Sequence, residues 1–134
     1  MTCIFCDIIN RKKEADILYE DDIVIAVLDS QPLSLGHTLV ISKEHFENFR
    51  DLVTAKVLFS NSEKLSTAVV DATGADGFNI IMNNGAVAGQ IINHAHFHII
   101  PRYTGDGLFF NHSRRTFPIE KTKAVYEAIK EKLK

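Results

Sequence analysis

Three of the six histidines of this chain occupy alternate positions of one short run, His94-Ala95-His96-Phe97-His98-Ile99-Ile100. An extended strand turns successive side chains to opposite faces with a period of two. His94, His96 and His98 therefore share one face, and Ala95, Phe97 and Ile99 the other. Pro101, which cannot donate to a strand ladder, is expected to end the pairing. A buried imidazole needs hydrogen-bond partners, so three in register, backed by an apolar face, mark a site. The run lies far from both termini and alternates with apolar residues, unlike a purification tag. A neutral imidazole is a nucleophile near pH 7 when its second nitrogen is held protonated, and it also ligates metals. Those are the chemistries that the ladder offers.

Two other groups could do chemistry. Cys3-x-x-Cys6 matches half of a structural zinc site, which needs four cysteine and histidine ligands. A thioredoxin-like redox pair should follow a strand, yet only Met1 and Thr2 precede Cys3. A pair of buried thiols in an apolar turn is the other reading. His37, His45 and His112 lie outside the ladder, and spacing does not choose among them as further ligands. The loop Asn83-Asn84-Gly85-Ala86-Val87-Ala88-Gly89-Gln90 has glycines that let backbone approach a ligand closely. No Lys-Ser/Thr pair follows them, so it is not a Walker A loop. Its N–H groups and amides next to the ladder suit an anion, with Arg102 the nearest basic residue.

Elements must carry these residues to one place. Ile17–Tyr19 and Ile23–Leu28 read as strands joined across Glu20-Asp21-Asp22. His37–Ser42 reads as a third strand, Phe78–Met82 as a fourth and the histidine run as the fifth. Asp29 to Gly36 is loop by its turn residues. Ile4 to Asn10 suits a helical turn. One long helix is expected from an N-cap at Thr54 to a stop at Gly74, with Leu58, Leu65, Val69 and Ala72 on its apolar face. Val125, Ile129 and Leu133, four apart, predict a short helix over Ile119 to Lys134. Short connections between strands favour an antiparallel sheet with the helix packed on one face. The expected fold is α+β, in one domain over 1–134.

Composition narrows the function. A chain of 134 residues with 46% hydrophobic content can bury a core, and a net charge of −2 gives no case for nucleic-acid or anionic-membrane binding. No apolar stretch has the length of a transmembrane helix and no signal-like start is present, so a cytoplasmic location is the expectation. Two cysteines make no disulfide framework.

The histidine run resembles the signature of the histidine-triad nucleotide-binding proteins. Other landmarks extend the likeness over about residues 3 to 103 in family order, leaving a C-terminal tail and helix over about 104–134. They are Cys3-Ile4-Phe5-Cys6, Tyr19-Glu20-Asp21-Asp22, Asp29, Gly36-His37-Thr38-Leu39-Val40-Ile41, Lys43-Glu44-His45 and Gly89-Gln90. The resemblance implies a five-stranded antiparallel sheet continued across a homodimer, purine nucleotide binding, and hydrolysis or transfer of nucleotidyl groups. It makes His96 the nucleophile and His98 a holder of phosphate charge. It places Ile4, Phe5, Ile8 and Leu28 around the base, Asp29 on the ribose, and Asn83, Gly89 and Gln90 on the phosphate side. The Cys-x-x-Cys branch implies a structural zinc on Cys3, Cys6, His45 and His94, with no organic cofactor.

Attack of His96 on the α-phosphate of a nucleoside phosphoramidate or dinucleoside polyphosphate is the implied reaction. Many relatives carry Ser or Thr just after the Gly-Gln pair, where this chain has Ile91. A lost donor there costs transition-state stabilisation, which leaves a nucleotide-binding interaction protein with vestigial catalysis as one alternative. A catalytic zinc held by all three ladder histidines is the other. The stretch after Tyr103, with Phe109-Phe110 and Arg114-Arg115, matches no branch closely enough to define a leaving group.

Overall fold

The computed structural model describes residues 2–51, 56–108 and 115–134. Its elements are α1 (Ile4–Ile9), β1 (Ile17–Glu20), β2 (Val24–Leu28), β3 (Thr38–Ser42), α2 (Ser62–Thr73), β4 (Gly77–Ile81), β5 (His96–Arg102) and α3 (Ile119–Lys132). The strands form one antiparallel sheet in the order β1-β2-β3-β5-β4. The α+β expectation holds. The histidine strand enters between β3 and β4, so its backbone is paired on both sides.

Both faces of the sheet are covered. On one, α2 and α3 bury Val24, Ala26, Val40, Ala95, Phe97 and Ile99. On the other, α1 brings Phe5 and Ile8 against Ile25, Val27, Leu39 and Ile41. Every residue of β2 and β3 is consequently buried; β2 is apolar throughout and β3 is apolar between Thr38 and Ser42, as strands covered on two faces are. The parity of β5 follows from this arrangement. Ala95, Phe97 and Ile99 face the helices, and His96 and His98 face α1.

Most element ends shift by one or two residues from expectation, and three of the differences have a local physical cause. The long helix starts at Ser62, and Thr54 lies outside the described residues. The hydroxyls of Ser60 and Ser62 donate to Val57 O and Phe59 O, local bonds that compete with helix. Asn61 instead spends its amide on the Tyr19 hydroxyl and Asp21. The helix does end at Gly74, left-handed at φ 68° with its N–H on Val70 O. β5 begins only at His96, because His94 sits in a bend whose N–H bonds Ile92 O. Pro101 does not end β5. It pairs with Phe78 of β4, and its carbonyl, on the other edge, accepts from Ser34 Oγ at 2.7 Å. Its missing N–H falls on that same edge, beyond the end of β3, where no strand needs a donor.

No helix among the described residues is long and apolar enough to cross a membrane.

Candidate active site and metal centre

A cleft of about 1000 Å³ opens on the α1 face of the sheet. Ile4, Phe5 and Ile8 form one wall, and Leu28 and Asp29 at the end of β2 form another. Asn83 and Gly89 close the loop side, and His96 and His98 form the floor. Gly89 is left-handed at φ 96°, and a Cβ there would lie 3.2 Å from Asn83 Nδ2, so a side chain at this point would be strained and would push Asn83 aside. Gln90 does not line the cleft. Its amide is turned inward, accepting from Gly85 N–H at 2.8 Å and donating to Glu47 O and Ile92 O, and so it shapes the loop whose backbone reaches the cleft. Ile91, at the mouth, is 86% exposed.

His96 Nδ1 lies 2.7 Å from the carbonyl of His94. A carbonyl only accepts, so Nδ1 carries the proton and Nε2 the lone pair. The edge of this imidazole packs on Phe5, ring centroids 4.9 Å apart. Burial holds its pKa below the ordinary histidine value, against the opposing pull of the His94 carbonyl and the Asp29 charge. The imidazole is thus neutral at pH 7, with a defined tautomer and one bare nitrogen on the cleft.

His94 is directed elsewhere. Its Nε2–H donates to Ser42 O at 2.7 Å, which leaves a lone pair on Nδ1. That atom lies 3.3 Å from Cys3 Sγ, 3.6 Å from Cys6 Sγ and 3.1 Å from His45 Nδ1, and Cys6 Sγ lies 3.4 Å from His45 Nδ1. Burial presses the pKa of His94 down to about 4, which keeps the lone pair free. The four ligand atoms lie within 4.8 Å of one another. A tetrahedron with ligands at about 2.0–2.3 Å has edges of about 3.3–3.8 Å, so the donor set and spacing fit a closed site for a metal such as zinc. The cysteines arrive there because Cys3 caps α1, its sulfur accepting the Cys6 N–H.

A second cluster gathers Asp29, His37 and His98. His37 Nε2 lies 2.9 Å from His98 Nδ1 and 3.5 Å from Asp29 Oδ2, and His37 Nδ1 accepts from the Leu33 amide at 3.0 Å. Spacing alone assigned His37 no part in this cluster. Its signal was parity: His37 has the same parity as Leu39, and Leu39 pairs with His98. Only the β3–β5 register reveals the neighbour. His112 lies outside the described residues.

The HIT domain matches residues 10–105. The chain is 40% identical over 129 residues to an adenylylsulfatase of Arabidopsis thaliana, an alignment that covers 95% of this chain and 66% of that protein. It is 36% identical over 135 residues to an adenosine 5′-monophosphoramidase of Schizosaccharomyces pombe, covering 100% of both. A hypothetical histidine triad nucleotide-binding protein of Sulfolobus tokodaii superposes with a TM-score of 0.86 at 41% identity, covering 98% of this chain and 91% of the other. A zinc-bound histidine triad protein of Mycobacterium smegmatis superposes at 0.83 with 33% identity, covering 98% and 95%. The matched domain, the shared fold and the strand of alternating histidines lead to one conclusion: the chain belongs to the HIT family.

Proposed function

We propose that this protein is a purine nucleotide hydrolase or nucleotidyl transferase that works through a covalent bond between His96 Nε2 and an α-phosphorus. The observation that carries this reading is the 2.7 Å bond from His96 Nδ1–H to His94 O, which leaves a bare Nε2 at a nucleotide-sized cleft. Ile4, Phe5, Ile8 and Leu28 hold the base between apolar surfaces, and Asp29 accepts from the ribose hydroxyls. Asn83, the Gly89 backbone and the loop braced by Gln90 receive the phosphate, with His98 beside it.

The Nε2 lone pair attacks phosphorus, and the bond to the leaving group breaks with its electron pair, solvent supplying the proton. The imidazole keeps its Nδ1–H, so the nucleotidyl-histidine is cationic and the His94 carbonyl stabilises it. Water attacks next, the P–N bond breaks back onto Nε2, and a proton passes to solvent. The substrate class is a nucleoside phosphoramidate or dinucleoside polyphosphate; the relatives named for adenylyl sulfate and adenosine phosphoramidate support an α-phosphate with a variable leaving group. Cys3, Cys6, His45 and His94 would hold a zinc, and with four protein ligands it would supply structure and leave no open position for chemistry. The two cysteines and the direction of His94 speak against a zinc shared by the three ladder histidines.

Substrate labelled at the α-phosphate, quenched in mid-reaction, should leave acid-labile, base-stable label on His96. Turnover without such label under conditions that trap the intermediate would sink the covalent reading. Nucleotide affinity with no turnover would instead favour the vestigial enzyme that the exposed Ile91 at the mouth suggests.

A further inference from the structure

His37 is 1% exposed, and the chemistry at His96 gives it no part. Its hydrogen bonds nevertheless fix the state of a neighbour. The Leu33 amide donates to His37 Nδ1; an amide N–H cannot accept, so Nδ1 holds a lone pair. A neutral imidazole with Nδ1 bare carries its proton on Nε2. That Nε2–H points at His98 Nδ1, 2.9 Å away, with Asp29 Oδ2 a more distant acceptor at 3.5 Å. His98 Nδ1 is therefore an acceptor, and the proton of neutral His98 sits on Nε2.

We propose that His37 is a positioning residue that locks His98 in its Nε2–H tautomer and so holds a fixed hydrogen-bond donor toward the α-phosphate. The donor's target rests on the nucleotidyl-transfer reading above; the tautomer does not.

Among the contacts of the described residues, the competing states set two donors head to head. Protonated His37 would direct Nδ1–H at the Leu33 amide. Protonated His98 would direct Nδ1–H at the His37 Nε2–H. A cation shared by Asp29, His37 and His98 would strip His37 Nε2 and move its proton to Nδ1, against the same amide. That amide cannot turn away cheaply. The His37 N–H bonds Ser34 O, Ser34 Oγ bonds Pro101 O, and the Asp29 N–H bonds His37 O. Gly36 packs so closely that a Cβ would come within 2.7 Å of Thr73 Cγ2.

The lock also defines what His98 does. Among the described residues His98 Nδ1 faces the single proton of His37, so giving up the Nε2 proton would leave that pair one proton short. His98 therefore stabilises phosphate charge by hydrogen bonding and transfers no proton, which leaves the leaving group to solvent.

Imidazole ¹⁵N NMR on the whole protein tests the tautomer directly, and two variants test its use. Wild-type His98 should be protonated at Nε2 with a bare Nδ1. His37→Leu should yield mixed tautomers at His98 and a kcat lower by about 10²-fold, the cost of a misaligned charge-stabilising donor, with AMP affinity changed much less. His37→Gln, which returns an N–H at a similar reach, should recover most of both. Wild-type His98 protonated at Nδ1 overturns the inference without need of any variant. So does a folded His37→Leu protein that keeps a pure Nε2–H tautomer, or a His37→Gln protein no better than His37→Leu. A wild type that never turns over nucleotides would end the proposed function, while the NMR result would still judge the lock.

Discussion

At the scale of residues, the site assigns different tasks to histidines only two positions apart. His94 gives its side chain to the cysteines and its carbonyl to His96; His96 gives its Nδ1–H to that carbonyl and keeps Nε2 for the cleft. His96→Ala deletes the attacking atom but leaves the apolar wall, Asp29 and the Gly89 loop. Turnover should fall below detection while AMP still binds, which calorimetry alongside a hydrolysis assay would measure. His98→Ala removes a donor to phosphate charge, and kcat should fall about 10²–10³-fold with a modest binding defect. Equal losses in the two variants would contradict the division of labour. The alternation of the ladder was legible in the sequence because strand parity is local. The bond between His37 and His98 spans 61 positions and depends on how β3 and β5 align, which nothing within either segment states.

Elements transmit these arrangements. α1 is six residues long, too short to be stable by itself; apolar packing of Phe5 and Ile8 holds it, together with the Cys3, Cys6, His45 and His94 cluster at its N-terminus. Cys3→Ser should release bound zinc and lower Tm by about 10 °C or more, since a closed metal site contributes to folding directly. Stoichiometric zinc in that variant, by atomic absorption, or none in the wild type would contradict the assignment. At the far end of β5, Asp106 accepts from Arg102 Nε and Nη2 and from the Tyr103 and Leu108 amides. The guanidinium first, and then the amides, hold its carboxyl well below the ordinary carboxylate range. A depressed acid stabilises the fold above its unfolded pKa of about 3.9, and the contribution is lost only as pH falls from there through the lower folded value. Asp106→Asn should thus cost about 2 kcal/mol between pH 5 and 8, and the gap to wild type should narrow below about pH 4 in urea titrations. A gap that stays flat to pH 3 would contradict this linkage. Element types were readable from periodicity. The late start of α2 was not, because it follows from Asn61 reaching across to Tyr19 and Asp21 of the first hairpin.

At the scale of the molecule, the two ends of the sheet are unlike. β1 is a short outer strand of four residues, whereas β4 carries Phe78, Ile80 and Ile81 at 45%, 44% and 38% exposure. An edge strand with large exposed apolar side chains and a free row of backbone groups invites pairing with another chain. Closed two-fold pairing of β4 with the same strand of a second copy would join two five-stranded sheets into one. It would also lie beside β5, whose next ladder outward is β4, so the interface would stiffen the strand that bears His96 and His98. The homodimer expected from the sequence is therefore proposed to form through β4. Ile80→Lys puts a charge in the middle of that edge and leaves the core clusters untouched, since Ile80 belongs to neither. Light scattering should give the mass of two chains for the wild type and of one for Ile80→Lys, with the far-UV spectrum unchanged. Activity per chain should fall severalfold with dissociation if the joined sheet steadies the histidine strand. A wild type that stays monomeric at high micromolar concentration, or an Ile80→Lys protein that remains dimeric, would remove β4 as the interface.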